Sequence, residues 1–299
     1  MCLENIADVG RINTIFAFLD SDAFDIDKGI NNAGTFHNIC NHCDNITFQE
    51  YENEETYTGN FSFNSKLFSQ IALKNILRDI YKHEVELEFF KLMPSMVKED
   101  NFKKVMAMLL SRHQSVARKI DIQECYDALN KCKTNIESET PWLDVLICEK
   151  VDYVVPIAYQ GMISLTTGFN HEVINDKFSY KKGYSLEYIH LAVFPFSKSS
   201  VIMLFLDKDN KRYEQFKAKV KTLSKTKKIQ LINYLLFLYC EDYFFSKGLS
   251  KKTIQMIREI ATSSEDVISY NQKATLQNAL VDYDLKRAWS FKNVLGIHV

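Results

Sequence analysis

Apolar residues recur at helical spacing through the second quarter of the chain. Leu73, Ile76, Leu77, Ile80 and Leu87, with Glu84 among them, predict a long helix from about residue 64, and Pro94 marks its break. Phe102, Val105, Met106, Leu109, His113, Val116, Ala117 and Ile120 form one continuous stripe at i, i+3, i+4, i+7 spacing, which predicts a second helix with that stripe turned inward. His113, in mid-stripe, then reads as a hydrogen-bonded core histidine. Asp121 and Glu124 give an Asp-x-x-Glu start signal for a third helix, whose inner face would hold Cys125, Leu129 and Cys132.

The pattern then changes period. Val145–Cys148, Val151–Ile157 and Met162–Thr166 are β-branched or aromatic runs, and Tyr188–Phe194 and Val201–Leu206 are stronger ones separated by the turn-rich 195–200 segment. The last two predict a hairpin whose strands, apolar throughout, are covered on both faces. After Asp207 helices return through to about Lys292, with Ser224 and Ser250 as N-caps and a broad apolar face at Ile229, Ile232, Leu236, Tyr239, Cys240 and Tyr243. Near the start, Ile12–Leu19 is strand-like and Asp20–Asp27 acidic and loop-like. Together these elements predict an α+β fold, mostly helical, with a small N-terminal α/β module and a small central antiparallel sheet. Four regions follow: an acidic module with a cysteine knuckle over 1–60, long helices over 61–140, a β region over 141–207 and helices over 208–299.

Composition narrows the class. The 299 residues are 46% hydrophobic and 25% charged, enough for a large core in one or two domains. Only 9 Gly and 4 Pro leave little material for a turn-rich all-β fold or for disordered linkers. Seven unevenly spread cysteines do not suggest a disulfide framework, and Glu4, Asn5 and Asp8 stand where a secretory leader needs apolar residues, so a reducing cytoplasm is the expected compartment. The longest apolar run, Leu231–Cys240, contains Asn233 and is too short to span a bilayer, so it reads as a buried helix and no membrane partner is expected. Cys148 and Cys240 also read as core.

Charge is uneven. Residues 1–60 carry Arg11 and Lys28 against eleven Asp and Glu, whereas Lys208–Lys228 holds nine Lys and Arg against Asp209 and Glu214. Such a basic run is either a solvated helix face or a phosphate-binding surface; in the second case Lys217, Lys221 and Lys225 are the candidate nucleic-acid contacts. Glu241-Asp242 is a carboxylate pair at a helix end. No Gly-rich phosphate loop, G-x-S-x-G elbow or dinucleotide fingerprint is present.

Two motifs carry candidate chemistry. His37-Asn-Ile-Cys40-Asn-His42-Cys43-Asp44 sets potential metal ligands within eight residues. A C-x-x-C turn aims two thiolates at one point, as tetrahedral zinc requires, and His37, Cys40, Cys43 and Asp44 are the candidate set. One knuckle is half a site. The other readings are two small residues in a polar turn, or a redox dithiol, which the apparent lack of a βαβ unit or helix start disfavours. Asn38-Ile-Cys40-Asn-His-Cys43-Asp44-Asn45 resembles the knuckle of treble-clef, HNH-type nucleases, although no Asp-His or His-His pair precedes it where that family keeps its general base. Thr35-Phe36, Cys40, Cys43-Asp44, Phe48, Glu50 and Glu52 also resemble a stretch of uncharacterised bacterial proteins, a likeness that implies no activity.

Arg78-Asp79-Ile-Tyr-Lys-His83 resembles the R-[NDH]-x3-H motif of HEPN ribonucleases, helical proteins of toxin–antitoxin and phage-defence systems. The resemblance implies that Arg78 steadies a scissile phosphate and His83 moves a proton during 2′-OH attack, without metal. On a regular helix the two lie about 140° apart, at ~100° per residue, so they converge only if the helix is irregular or a second subunit of a homodimer completes the site. The bland reading makes Arg78 a solvent-facing charge and His83 the flank of an apolar stripe. Two functions follow: a bacterial nuclease-like protein acting on nucleic acid, in phage defence, or a non-catalytic binding protein with a structural zinc or no metal.

Overall fold

The computed structural model describes residues 2–9, 11–15, 24–29, 39–58, 61, 64–97, 101–137, 141–176, 183–240, 243–255 and 284–297. The fold is α+β. The chain divides into two compact units: Met1–Thr35, Glu50–Asn64 and Trp142–Val299 form the first, Phe36–Gln49 and Ser65–Pro141 the second. The acidic N-terminal stretch contributes to both units. No helix among the described residues is long and apolar enough to cross a membrane.

The first unit is built on an antiparallel sheet. β1 (Arg11–Ile15), β2 (Phe24–Gly29), β3 (Leu143–Val151), β4 (Ile157–Ile163), β5 (Ile189–Pro195), β6 (Ser200–Asp207) and β7 (Phe244–Phe245) lie in the order β2-β1-β7-β4-β5-β6-β3. The expected hairpin is β5–β6, paired from Ile189↔Leu206 to Pro195↔Ser200. Every residue of β5 is buried, and β6 is buried from Ser200 to Leu206, so both faces are covered as their unbroken apolar sequence requires. Two expectations shift. Part of the 20–27 segment read as loop is strand β2, and the C-terminal helices are interrupted by β7, which joins β1 to β4. The Glu241-Asp242 pair lies outside the described residues.

Helices α6 (Glu214–Lys221) and α7 (Lys225–Tyr239) belong to this unit, and the Ser224 hydroxyl caps α7 by accepting from the Lys227 amide. Asn233, the polar break in the longest apolar run, is buried in α7. Its Nδ2 donates to the Lys292 carbonyl at 2.9 Å, and its Oδ1 accepts from the amides of Val294 and Leu295 at 2.8 and 3.1 Å. One amide side chain thereby supplies backbone groups that would otherwise be buried unpaired. Asn175 does the same between the Leu165 carbonyl and both backbone groups of Glu187, while the buried Tyr213 hydroxyl accepts from the Leu165 amide and donates to the Glu187 carbonyl. The short helices α2 (Gln49–Glu52) and α3 (Glu55–Thr58) bring Tyr51 and Tyr57 to the sheet: Tyr51 donates to Gln160 Oε1 at 2.6 Å, and Tyr57 stacks on Phe196.

The second unit is a helical hairpin, α4 (Ser65–Met96) and α5 (Asn101–Glu137), with the short helix α1 (Asn41–Thr47). Cys132 meets Ser69, Tyr126 meets Glu84 and Arg118 meets Glu86, so the two long helices run antiparallel. α4 continues through Pro94 to end two residues later, since a proline in the last turn removes little. α5 is one helix: the Asp121–Glu124 start signal opens no third helix, because Asp121 instead pairs with Arg118 one turn back.

The larger correction concerns which face of α5 is inside. Cys125, Leu129 and Cys132 are buried as expected and Ala107 and Ser111 continue their line, whereas Phe102, Val105, Met106, Leu109, Val116 and Ile120 are exposed, Phe102 at 74% and Leu109 at 59%. His113 is exposed with them and is not a core histidine. At ~100° per residue the two sets lie nearly opposite on the helix. The buried line is made of smaller side chains, which allow a close approach to α4.

His190 gives the sheet unit a pH dependence. It is fully buried opposite Phe205, on which its ring stacks at 4.9 Å, and burial pushes its imidazole down to about 3. The unfolded chain protonates it near 6.5, so the unfolded state binds the extra proton between pH 6.5 and 3, and stability falls as pH falls through that window. At pH 5 the loss from this group is about 2 kcal/mol, at ~1.36 kcal/mol per unit. Chemical denaturation at pH 7.5 and pH 5 is expected to show a smaller acid loss in His190→Leu than in wild type; an equal loss would mean that His190 is not carried neutral.

Candidate functional site

The knuckle sits at a helix start, contrary to the sequence expectation that none surrounds it. Cys40 is the N-cap of α1 in extended conformation (φ −74°, ψ 151°), and the Cys43 backbone N–H donates to its sulfur at 3.4 Å. Both thiols are exposed. The backbone N–H of Cys43, and after it the Cys43 thiol, hold Cys40 below the ordinary thiol range, while the bond it gives and the Cys40 charge push Cys43 up. The two thiols are thereby unequal, with Cys40 the more acidic.

Asp44, the third candidate ligand, turns elsewhere. Its Oδ1 takes the Lys74 ammonium at 2.6 Å, and that ammonium also lies 4.4 Å from the Phe48 ring centre. His37 lies outside the described residues, and among those described no group of three or more His, Cys, Asp or Glu converges on one point. Cys40 and Cys43 thus supply two sulfurs, half of a closed tetrahedral zinc site.

Arg78 and His83 both lie on α4, which is regular α-helix between them, so the backbone does not turn their side chains to one side. A different arginine meets the histidine. Arg118 of α5 brings Nη1 to 3.1 Å from His83 Nδ1 and 2.8 Å from Glu86 Oε2, while His83 Nδ1 is itself 3.1 Å from Glu86 Oε2. Its Nη2 reaches Asp121 at 3.2 Å. Nδ1 can serve only one of these neighbours: protonated it donates to Glu86, unprotonated it accepts from Arg118. Burial alone would raise the Glu86 carboxyl, but the His83 hydrogen bond with the charges of Lys82, Arg118 and His83 outweighs it and holds Glu86 below its usual range. Glu86 follows His83 by one turn and was visible in sequence. Arg118 was not, because only the antiparallel register of the hairpin brings it to that level.

Arg212, Lys217, Lys221, Lys225 and Lys228 of the basic run find partners within their own unit. Lys217 is buried, with its ammonium 3.2 Å from Glu214 and 3.8 Å from Asp144. Lys221 reaches Asp144 at 3.3 Å, so the two lysines do share a helix face, and one strand residue answers both. Lys225 donates to the Lys150 carbonyl at 2.6 Å, Lys228 pairs with Glu149, and Arg212 pairs with Glu187 and covers the Tyr184 ring. Strand β3 and the segment before β5 therefore supply much of the counter-charge.

No protein-family model matches the sequence, and searches of curated proteins and of solved structures return no match.

Two measurements test the assignments. With iodoacetamide at neutral pH, Cys40 is expected to react before Cys43 and before the buried Cys125, Cys132 and Cys240; equal rates at Cys40 and Cys43 would remove the asymmetry. Should the pair also hold zinc, protein purified without chelator carries about one equivalent, lost in Cys40→Ser with Cys43→Ser. For the polar cluster, Arg118→Leu leaves Glu86 charged inside the hairpin and is expected to cost about 2–4 kcal/mol in urea denaturation, whereas Arg118→Leu with Glu86→Leu recovers most of it. Additive losses would show that the two side chains do not act as a pair.

Proposed function

We propose that this chain is a non-catalytic binding protein that works by helix-on-helix docking against its α4–α5 hairpin. The observation that carries the reading is the outward stripe of α5, Phe102, Val105, Met106, Leu109, Val116 and Ile120, with Val85, Leu92 and Met96 exposed on α4. Single exposed apolar residues need no explanation. A continuous stripe over five helical turns does, because monomeric proteins rarely present contiguous apolar patches above a few hundred Å². Support also comes from the polar residues that a nucleic-acid enzyme would use. Lys217, Lys221 and Lys225 already hold carboxylates or a carbonyl, and a phosphate would have to displace them.

A second reading rests on one specific contact. A histidine with its Nδ1 against a carboxylate and a guanidinium beside it has the parts for metal-free RNA cleavage: Glu86 to orient the ring, His83 to move the proton, Arg118 to hold a phosphate. Against it, Arg118 is already bound by Glu86 and Asp121, two carboxylates that oppose an incoming anion.

Incubation with RNA and duplex DNA at low ionic strength, in Mg²⁺ and in EDTA, separates the two. The expected result is no cleavage and a log K against log[salt] slope far shallower than the ~0.9 per phosphate of open lysine contacts. RNA cleavage that survives EDTA and vanishes in a folded His83→Ala would replace the binding reading with the catalytic one.

A further inference from the structure

We propose that Cys40 and Cys43 are a thiol–disulfide exchange site, which closes into an intrachain disulfide by reaction with a small-molecule disulfide and reopens with a small-molecule thiol. This chemistry does not depend on the docking proposed above.

Among the described cysteines the pair stands apart in access. Cys40 and Cys43 are exposed, whereas Cys125, Cys132 and Cys240 are buried and Cys148 is half-buried. A reagent in solution therefore meets these two sulfurs first.

The sulfurs are also already together. Side chains three apart on a regular helix have Cβ atoms ~5–6 Å from one another, too far for the ~3.8 Å of a disulfide. Cys40 escapes that limit because it is the residue before the helix. Its extended backbone turns the side chain back over the first turn, where the sulfur accepts from the Cys43 N–H at 3.4 Å. That nitrogen is two bonds from the Cys43 Cβ, and the Cys43 thiol itself bonds to the Cys40 sulfur. Closure needs a side-chain rotation, not a backbone movement.

The turn that carries the pair is held in place. The Asp44 amide donates to the Cys40 carbonyl at 2.9 Å, and the Asp44 carboxylate takes the Lys74 ammonium of α4. At the other end of α1 the Phe48 ring is fully buried beneath that same ammonium. A reactive pair on an anchored element keeps its geometry through each reaction cycle.

The exchange balances in two steps. One protein thiolate attacks a sulfur of the small disulfide, whose S–S bond breaks and releases the first thiolate. The second protein thiolate then attacks the protein sulfur of the mixed disulfide and releases the other. Two protein thiols are oxidised, one disulfide is reduced to two thiols, and the protons given up by Cys40 and Cys43 end on the leaving groups.

The folded full-length chain is equilibrated with mixtures of reduced and oxidised glutathione, quenched with acid and mapped by mass spectrometry. The expected product is a Cys40–Cys43 disulfide that excess reduced glutathione reopens, with Cys125, Cys132, Cys148 and Cys240 still reduced. Cys40→Ser and Cys43→Ser, checked as folded by circular dichroism, are each expected to hold glutathione on the remaining cysteine, an adduct that wild type does not accumulate. Serine at position 40 keeps a helix cap. A pair that stays reduced in oxidised glutathione alone overturns the proposal, as does one that carries glutathione on both sulfurs without closing. Zinc that co-purifies and shields both thiols overturns it too. Phenylarsine oxide, which bridges adjacent sulfurs, gives a readout that does not pass through glutathione. One equivalent on wild type and none on either single variant is expected; equal uptake by all three would mean that the sulfurs act separately and would also overturn the proposal.

Discussion

A helix packed against one neighbour buries one stripe, and α5 carries two. The line through Ala107, Ser111, Cys125, Leu129 and Cys132 meets α4, and the line from Phe102 to Ile120 lies on the other side of the helix. This single conflict organises the hairpin unit. The stripe of small side chains lets the two long helices approach closely, and the polar cluster of His83, Glu86, Arg118 and Asp121 fixes their register at mid-length. The price is that the bulkiest apolar side chains of α5 are left outside. A mixed polar layer of this kind contributes little net stability, because desolvating the ions offsets their attraction, but it penalises any slip that would separate Glu86 from Arg118.

The sheet unit answers part of its basic run internally. Nine basic residues between Lys208 and Lys228 look in isolation like a surface awaiting an anion. The fold instead sets β3 beside α6, and Asp144 and Glu149 meet Lys217, Lys221 and Lys228 there. Lys217 is the clearest case: a buried ammonium is tolerable only with carboxylates at hand, and Glu214 and Asp144 supply two. Lys217, Lys221 and Lys228 thus tie α6 and α7 to β3.

Parts of this were legible in the sequence, and the reasons differ by element. β5 and β6 were plain because two short, largely apolar runs rich in β-branched residues flank a turn-rich segment, too short for buried helices. Ser224 was plain as a cap because its hydroxyl acts within one turn. The stripe of α5 was found, yet its direction was inverted, since periodicity shows that a helix has an apolar face and not what lies against it. The inner face was read at Cys125, Leu129 and Cys132, which are buried, and missed over the first half of the helix, where it is marked only by Ala107 and Ser111. Asp121 and Glu124 looked like a helix start, but local capping propensity yields when tertiary packing continues the helix. The Arg78–His83 spacing was visible and the Arg118 contact was not, because thirty-five residues of hairpin separate Arg118 from His83. Asp144 as the partner of Lys217 and Lys221 was hidden for the same reason. The helix start at Cys40 was missed because Cys is a rare cap.

The energetics of the hairpin give the outward stripe its weight. Between Phe102 and Ile120, α5 buries only Ala107 and Ser111, so this half of the helix draws little hydrophobic stabilisation from α4. Covering the six outward residues would remove roughly 600 Å² from water, but such area does not convert directly into affinity, because lost freedom on association and desolvation of polar groups offset much of it. A partner that covers the stripe stabilises the hairpin by mass action, and substitutions that expose it again weaken the helix as well as the contact.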